Sequence, residues 1–176
     1  MKPQIIIIGA GGHGKVVCDA ILAQNKFEVK GFVDATIPVE TAIINNYKVI
    51  AHQNDLASLK SQNDFFVVAI GNNPVREKVF NTAIEFLQPA TIIHPSAVIG
   101  SEVKIGEGTV VLAKAVINAF SVIGKNTIVN AGVVVDHECI VGDNAHLSIG
   151  TMMGSNSNFE KNRTSAIGER INSFSK

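Results

Sequence analysis

An imidazole and a carboxylate stand side by side at His137 and Glu138, with Asp136 on the other side of the histidine. A neutral imidazole is the usual general base near neutral pH, and an adjacent carboxylate can orient it and increase its basicity. The pair could therefore take a proton from an attacking amine or hydroxyl group. The alternative interpretation is a surface histidine on a charged turn.

A glycine-rich segment, GAGGHG at residues 9–14, matches the pattern G-x-G-x-x-G, and Asp34 lies twenty residues beyond it. Glycines at a strand-to-helix turn let backbone amides approach a diphosphate, and an acid at this distance could bind a ribose. About 90 residues are too few for both halves of a dinucleotide-binding domain. We therefore favour a nucleoside diphosphate over a dinucleotide, and a tight turn without a ligand is the third interpretation.

The elements that must position this loop follow from the first half of the chain, where strand and helix patterns alternate. Apolar runs predict four strands, at residues 5–8, 29–33, 48–51 and 65–70. Helical spacing follows the glycine segment, and Pro74 opens a later helix. The pattern predicts a small Rossmann-like parallel α/β domain over residues 1–90. Its ligands are expected at the carboxyl ends of the strands, where Gly71 also lies.

The second half, residues 91–176, has a period of six. Every sixth residue from Ile93 to Ile171 is apolar except Ser165, and a small or β-branched residue stands four places after most of them. This hexapeptide repeat predicts a parallel β-helix, in which three hexads form one coil and residues 18 apart stack about 4.8 Å from each other. An ordinary β-sandwich would instead alternate with a period of two. From residue 163 the small positions hold Arg and Glu, so we expect the last turn and a half to be irregular.

Coil arithmetic relates the histidines of this half to one another. His146 lies nine residues after His137, which is half a coil, so the two side chains belong to different sides of one subunit. They could share a site only if a neighbouring copy supplies one of them. Ser155 lies one whole coil beyond His137, where a backbone N–H could point at an oxyanion that forms near the imidazole.

Composition limits the possible partners. The chain has 176 residues, with 15 Lys and Arg against 15 Asp and Glu. This balance gives no electrostatic case for nucleic acid, and no apolar run is long enough for a membrane insertion. Cys18, Cys139 and the histidines lack the close spacing of metal ligands, so no metal is expected. Two reduced thiols and the absence of a signal peptide predict a cytoplasmic protein.

Three motifs together resemble the PglD/NeuD-type sugar acyltransferases. They are the GAGGHG loop, the sequence AIGNN-x-x-R from Ala69 to Arg76, and N-x(6)-H-E-C from Asn130 to Cys139. The resemblance implies a left-handed β-helix that assembles as a homotrimer with active sites between subunits. It also implies transfer of an acetyl group from acetyl-CoA to the amino group of a UDP-linked 4-amino-sugar, in surface-glycan biosynthesis.

The resemblance also assigns roles to individual residues. His137 is expected to be the general base, and Glu138 the acid that strengthens it. Contacts with acetyl-CoA are expected from His146, Ser155 and Ile167. Contacts with the nucleotide-sugar substrate are expected from Gly11, Gly12, His13, Asp34, Ala35, Gly71 and Asn130.

The family pattern leaves other functions open. The same base and oxyanion donor would serve a sugar O-acetyltransferase of the sialic acid type. Relatives continue with further coils after the last hexad of this sequence, so the β-helix is expected to be short and acetyl-CoA binding to be weaker. A disabled relative that only binds a nucleotide-sugar is the remaining alternative, together with an NAD-dependent oxidoreductase fragment suggested by the glycine motif alone.

Overall fold

The computed structural model describes residues 2–59 and 64–172, and the chain divides into two compact units, Met1–Ala90 and Thr91–Lys176. The first unit is a sheet with two α-helices, and the second is a parallel β-helix. The fold class predicted from the sequence, including the left-handed sense of the β-helix, is confirmed. Within the described ranges, every helix is too short or too polar to cross a membrane.

The sheet of the first unit has the strand order β3-β4-β2-β1-β5-β6. Its elements are β1 (Gln4–Ile8), α1 (Gly12–Gln24), β2 (Glu28–Asp34), β3 (Ala42–Ile44), β4 (Tyr47–His52), a 3₁₀ helix (Gln53–Leu59), β5 (Asp64–Val68), α2 (Asn73–Ala83) and β6 (Gln88–Pro89). All neighbours are parallel except β3 and β4. The carboxyl ends of β4, β2, β1 and β5 therefore meet at one edge of the sheet.

β1 lies in the middle of this sheet because its four isoleucines, Ile5 to Ile8, can be buried on both faces. It pairs with β2 on one side and with β5 on the other. α1 begins at Gly12, inside the glycine segment and three residues earlier than its apolar spacing predicted. The loop from Gly9 to Gly11 is thus a short connection between the central strand and the first helix.

Two strands of this sheet were absent from the four predicted from the sequence. β3 forms a hairpin with β4 through Asn45 and Asn46, both with positive φ, which is the backbone of a tight two-residue turn. β6 has only two residues and pairs with β5 through Phe66 and Pro89. Both strands lie at sheet edges and lack the long apolar run by which the central strands could be recognised.

The β-helix consists of two-residue strands that stack, coil upon coil, into three separate parallel sheets. The first sheet holds β7 (Ile92–Ile93), β10 (Val110–Val111), β13 (Ile128–Val129) and β16 (His146–Leu147). The second holds β8 (Val98–Ile99), β11 (Val116–Ile117), β14 (Val134–Val135), β17 (Met152–Met153) and β19 (Arg170–Ile171). The third holds β9 (Lys104–Ile105), β12 (Val122–Ile123), β15 (Ile140–Val141) and β18 (Asn158–Phe159). Partners within a sheet are 18 residues apart, as the coil arithmetic predicted.

The second residue of most of these strands points into the coil and forms the core of the unit with the small residue four places on. Polar residues at the small position are also buried, because each bonds to backbone within the stack. Thr109 and Thr127 donate to carbonyl groups 15 residues ahead, those of Gly124 and Gly142, at 2.7 and 3.1 Å. Burying these hydroxyls therefore leaves each with a hydrogen-bond partner.

The last coil keeps the 18-residue register as far as Ile171, so the irregularity predicted after residue 163 is limited to Thr164, where the first sheet has a single bridge to His146 in place of a strand. The rest of the predicted irregular stretch, residues 173–176, lies outside the described residues. Met152 pairs with Arg170 across the second sheet. Ser165 occupies the inward position of the missing apolar residue, where its hydroxyl lies 2.7 Å from that of Thr151. Arg163 lies over the ring of Phe159 and pairs with Glu169. These long side chains are accommodated because they bond to each other at the end of the described stack.

Candidate active site

His137 lies on the turn after β14, with half of its side chain exposed. Its Nδ1 atom is 3.0 Å from Oε2 of Glu138. Because a carboxylate can only accept, Nδ1 carries the proton in this contact, and Nε2 of the neutral ring has its lone pair available as a base. Glu138 has a φ of 59°, a left-handed conformation that places its carboxylate beside the preceding side chain.

Asp136 holds the backbone on the other side of this pair. Its Oδ1 atom accepts from the backbone N–H of His137 at 2.8 Å and from Nδ2 of Asn118 at 3.2 Å. Its carbonyl oxygen accepts from the Ser121 hydroxyl at 2.8 Å. The turn that presents the imidazole is therefore fixed from inside the coil and from its surface.

The turn carrying Ser155 stacks directly on the turn of His137, because the N–H of Asn156 donates to the His137 carbonyl at 3.0 Å. The carbonyl of Gly154 points inward, to Sγ of Cys139 at 3.2 Å. C=O and N–H point in opposite directions across a trans peptide, so the N–H of Ser155 is directed away from the core. This is the orientation that an oxyanion donor requires.

Both cysteines are buried and unsuited to nucleophilic chemistry. Cys139 lies at an inward small position, where its thiol bonds within the stack. For Cys18, burial and the charge of the neighbouring Asp19 raise the pKa of the thiol to about 11. A thiol in this state is almost entirely protonated at neutral pH. In the described part of the chain, no cluster of three metal-ligating side chains occurs.

Asn130 and His146 come together in the first sheet, away from the His137 turn. Nδ2 of Asn130 lies 3.3 Å from Nε2 of His146. The amide orientation is determined, because the backbone N–H of Ala131 donates to Oδ1 of Asn130 at 2.8 Å. The structure therefore pairs a residue predicted to bind the sugar substrate with one predicted to bind acetyl-CoA. His137 follows a strand of the second sheet, so the two histidines lie on different sides of the unit.

The glycine loop is shaped for close backbone approach. A Cβ atom on Gly9, whose φ is 108°, would lie 2.7 Å from the Ala69 carbonyl, and one on Gly14 would lie 2.1 Å from the Gly9 carbonyl. Positions Gly11 and Gly12 instead face open space. Gly11 is the N-cap of α1 and offers no side-chain cap, and His13 lies in the first turn. The N-terminal amides of this helix are thus presented at the carboxyl edge of the sheet, a geometry suited to an anion.

Asp34 joins the glycine loop to the end of β2. Oδ2 accepts from the N–H of Ala10 at 2.8 Å. Oδ1 accepts from the N–H and hydroxyl of Thr36, at 2.8 and 3.0 Å, and from the N–H of Ile37 at 3.0 Å. Burial acts to raise the pKa of this carboxyl, but the four donors outweigh it and hold the pKa below its ordinary value.

The other predicted substrate and acetyl-CoA residues lie on turns. The carbonyl of Ala35, next to Asp34, accepts from Nε2 of His52 at 2.9 Å. The carbonyl of Gly71 accepts from Nη1 of Arg76 at 3.2 Å. Ile167 is 79% exposed on a turn of the last coil, where the N–H of Ala166 donates to Glu169 at 2.8 Å.

Three residues that shape these sites were given no role from the sequence: Asp136, His52 and Arg76. His52 accepts from the N–H of Asn54 through Nδ1 at 3.2 Å, so it links the Ala35 turn to the 3₁₀ helix. Its position after a short strand gave no signal. Arg76 did carry one, since it closes the AIGNN-x-x-R motif, but that motif does not indicate that the side chain turns back and is buried.

Comparison with known proteins gives a consistent set of relatives. A family profile described as the PglD N-terminal domain matches residues 4–83. UDP-N-acetylbacillosamine N-acetyltransferase of Bacillus subtilis is 32% identical over 117 residues, which are 62% of this chain and 51% of that protein. GDP-perosamine N-acetyltransferase of Escherichia coli O157:H7 is 27% identical over 111 residues, 60% of this chain and 49% of that protein. The chain thus spans about half the length of the curated relatives it matches.

Solved structures cover nearly the whole chain. A His-to-Ala mutant of GDP-perosamine N-acetyltransferase from Caulobacter crescentus, in complex with CoA and GDP-perosamine, is 33% identical with a TM-score of 0.91, covering 97% of this chain and 80% of that one. The acetyltransferase domain of PglB from Neisseria gonorrhoeae, in complex with acetyl coenzyme A, is 32% identical with a TM-score of 0.73, covering 98% and 86%.

The chain contains a Rossmann-like unit and a left-handed β-helix of hexapeptide repeats. An exposed imidazole–carboxylate pair lies on a turn of the β-helix. Together these features define the class of β-helix acyltransferases. Within that class, the chain belongs to the PglD/NeuD-type family of sugar acyltransferases. The resemblance seen in the sequence motifs is therefore confirmed.

Proposed function

We propose that this protein transfers the acetyl group of acetyl-CoA to the amino group of a sugar linked to a nucleoside diphosphate, with UDP as the nucleotide. The single observation that carries the proposal is the contact of His137 Nδ1 with Glu138, which leaves Nε2 as a base on an exposed turn. The names of the relatives supply the substrate class, and the relative from Bacillus subtilis supplies UDP. GDP, named in the Caulobacter crescentus structure, is the competing nucleotide.

In this mechanism His137 acts directly on the sugar amine. Nε2 removes the proton of the amine as its nitrogen attacks the thioester carbonyl, and Glu138 stabilises the imidazolium that results. The carbon–sulfur bond then breaks, and the imidazolium returns the proton to the leaving CoA sulfur. No covalent enzyme intermediate is needed, which agrees with the buried state of Cys139.

The N–H of Ser155 is proposed as the donor to the oxyanion that develops on the carbonyl. Two features support this: its peptide group is directed away from the core, and its turn stacks on the turn of His137. One coil earlier, Ser155 corresponds to His137 itself, whose N–H donates to the carboxylate of Asp136.

A homotrimer with active sites between subunits completes the proposal. The first residues of four strands in the second sheet form an apolar outward row: Val98, Val116, Val134 and Met152. Val98, Val134 and Met152 are 58%, 37% and 45% exposed in the single chain. A row of this kind suits burial against a second copy. His146, held by Asn130 on another side of the unit, would then contact acetyl-CoA in the site of a neighbouring subunit, together with Ile167.

The first unit is proposed to bind the nucleotide-sugar at the carboxyl edge of its sheet. Gly11, Gly12 and His13 would offer backbone amides to the diphosphate, since α1 begins there without a side-chain cap. Ala35 and Gly71 would lie beside the nucleoside. Asp34, which already accepts four hydrogen bonds, would act mainly by fixing the loop rather than as a ribose ligand. The proposal includes a cytoplasmic location.

The test is release of CoA thiol from acetyl-CoA with a panel of UDP- and GDP-linked amino-sugars and free sialic acid. Turnover with a UDP-linked amino-sugar is expected, with a loss of about 10²–10⁴-fold in kcat for His137→Ala. Glu138→Gln should lose less, because the base itself remains. Nucleotide-sugar binding should be nearly unchanged in both variants.

Other results of this assay would contradict the proposal. If only GDP-linked sugars are accepted, the nucleotide of the substrate is GDP and not UDP. Acceptance of sialic acid would indicate an O-acetyltransferase. Nucleotide-sugar binding without turnover would indicate a binding protein. Equal rates for His137→Ala and the unsubstituted protein would exclude the proposed base.

A further inference from the structure

Arg76 is a buried cation that none of the proposed steps uses. It lies in α2 and is 1% exposed, which is rare for an arginine. Its Nη1 atom donates to the carbonyl of Ile70 at 3.0 Å and to that of Gly71 at 3.2 Å. Burial lowers the pKa of the guanidinium to about 10, against an opposing effect of the Glu77 carboxylate, so the group is still charged at neutral pH.

These two contacts determine how the loop after β5 presents its backbone. One nitrogen atom holds two successive carbonyl groups, so both point toward the buried guanidinium. C=O and N–H are antiparallel across a trans peptide. The N–H groups of Gly71 and Asn72 are therefore directed away from Arg76. Successive N–H groups aimed to one side form a concave site for an anion.

This loop packs against the glycine loop. The N–H of Ala69 donates to the carbonyl of Ile8 at 2.7 Å, where β5 and β1 end side by side. Gly9 comes so close to Ala69 that a Cβ atom would not fit between them. The amides after β5 and those at the start of α1 consequently lie on one edge of the sheet. Segments 9–14 and 69–73 contain no lysine or arginine of their own, and Arg76 is a buried cation directly beside the second of them.

We propose that Arg76 is the positioning residue of the diphosphate subsite: it turns the amides of Gly71 and Asn72 toward the phosphates of the nucleotide-sugar. The inference rests on the proposed function for the identity of the ligand. Arg76 does not touch the ligand, because it is buried behind the carbonyls that it holds. Its effect is therefore specific for the anionic part of the nucleotide and not for the nucleoside.

The test compares UDP with uridine, and GDP with guanosine, by titration calorimetry on the full chain. Arg76→Met is expected to weaken binding of the diphosphate about tenfold or more while binding of the nucleoside changes less than about twofold. Arg76→Lys, which can still donate to both carbonyls, should recover part of the loss. In the transfer assay KM for the nucleotide-sugar should rise, with kcat and KM for acetyl-CoA nearly unchanged.

Lys30→Met is the matched control for loss of a cation in the same unit. Lys30 pairs with the buried Asp64 at 2.6 Å, at the opposite end of β5, so its loss should lower stability without changing UDP binding. If Arg76→Met does not fold, Arg76→Lys carries the comparison alone, and its UDP affinity should fall while uridine binding holds. Unchanged UDP affinity in a folded Arg76 variant, or equal losses for UDP and uridine, would overturn the inference. If diphosphate binding depends on Arg76 but the protein transfers no acetyl group, the proposed function is refuted and the inference about Arg76 stands.

Discussion

Single side chains in this protein act largely by holding backbone. Asp34 shows this most directly, since a residue expected to meet the ribose accepts four hydrogen bonds from its own chain. His52 and Arg76 hold carbonyl groups in the same way. The expectation for Asp34 used its distance from the glycine loop, which is correct for a strand end. What a spacing cannot show is that nearby amides donate to the same carboxylate.

Replacement of Asp34 should change how stability depends on pH. The pKa of this carboxyl is lowered in the folded state, so its stabilising contribution is present above the unfolded value of about 3.8 and is lost as pH falls through the folded value. Asp34→Asn should lower the free energy of unfolding by roughly 1–2 kcal/mol at pH 7, because its amide would face the donor of Ala10. Urea denaturation at pH 7 and pH 3 measures the difference, which should shrink at the lower pH.

Asp19→Asn, on the exposed face of α1, is the control for loss of a charge alone. It should leave the free energy of unfolding nearly unchanged at both pH values. A constant difference between Asp34→Asn and the unsubstituted protein across this range would mean that the carboxylate is not the group responsible.

At the scale of elements, the hexapeptide repeat was predictable from the sequence, and the side-chain contacts that it brings about were only partly predictable. The period of six determined the coil, the 18-residue register and the position of Ser155 above His137. It also separated His137 from His146. The contact of Asn130 with His146 did not follow from the sequence motif, because the motif groups residues by order along the chain whereas β13 and β16 are neighbours by stacking. The 18-residue register of the last coil was missed because Arg163 and Glu169 were considered singly and not as a pair.

The turn of Ser155 allows its N–H to be removed with little change of shape. Asn156 has a φ of 58°, as in a type II turn, and proline is favourable at the position before it. Pro95 already occupies the corresponding place in the first hexad. Ser155→Pro should lower kcat by roughly 10²-fold with little effect on either KM, measured by thiol release alongside a melting curve.

Cys139→Ser serves as the companion variant. A hydroxyl at this position can make the bond to the Gly154 carbonyl, as Thr127 does to Gly142, so activity should be retained. Normal turnover in a folded Ser155→Pro protein would remove the oxyanion assignment. Loss of turnover in folded Cys139→Ser would instead revive a thiol mechanism.

At the scale of the whole molecule, the proposed chemistry depends on association of copies. The imidazole base and the Asn130–His146 pair lie on different sides of one β-helix. A separated chain would therefore hold only part of each site. The outward apolar row of the second sheet provides the surface through which copies could combine.

A carboxylate placed in this row should separate the copies. Val98→Glu lies in the first coil, three rungs of the second sheet away from Met152, so it leaves the His137 turn intact. Because burying an unpaired charge between copies is costly, light scattering should show a mass of one chain in place of three. Acetyl transfer should fall as well, since a separated chain holds only part of each site. Lys104→Glu introduces the same group at a polar outward position of the third sheet and should remain trimeric. A monomeric unsubstituted protein with full activity would refute the shared site.

The 18-residue register has a consequence for how this protein could change over evolution. Gaining or losing a whole coil lengthens or shortens the β-helix without rotating any side chain about the axis of the β-helix. An insertion of any other length would turn every later residue to a different side, and would separate an amide such as that of Ser155 from the imidazole beneath it. Viable length variants of this β-helix should therefore differ by complete coils, or carry their extra residues as loops that leave and rejoin the same corner.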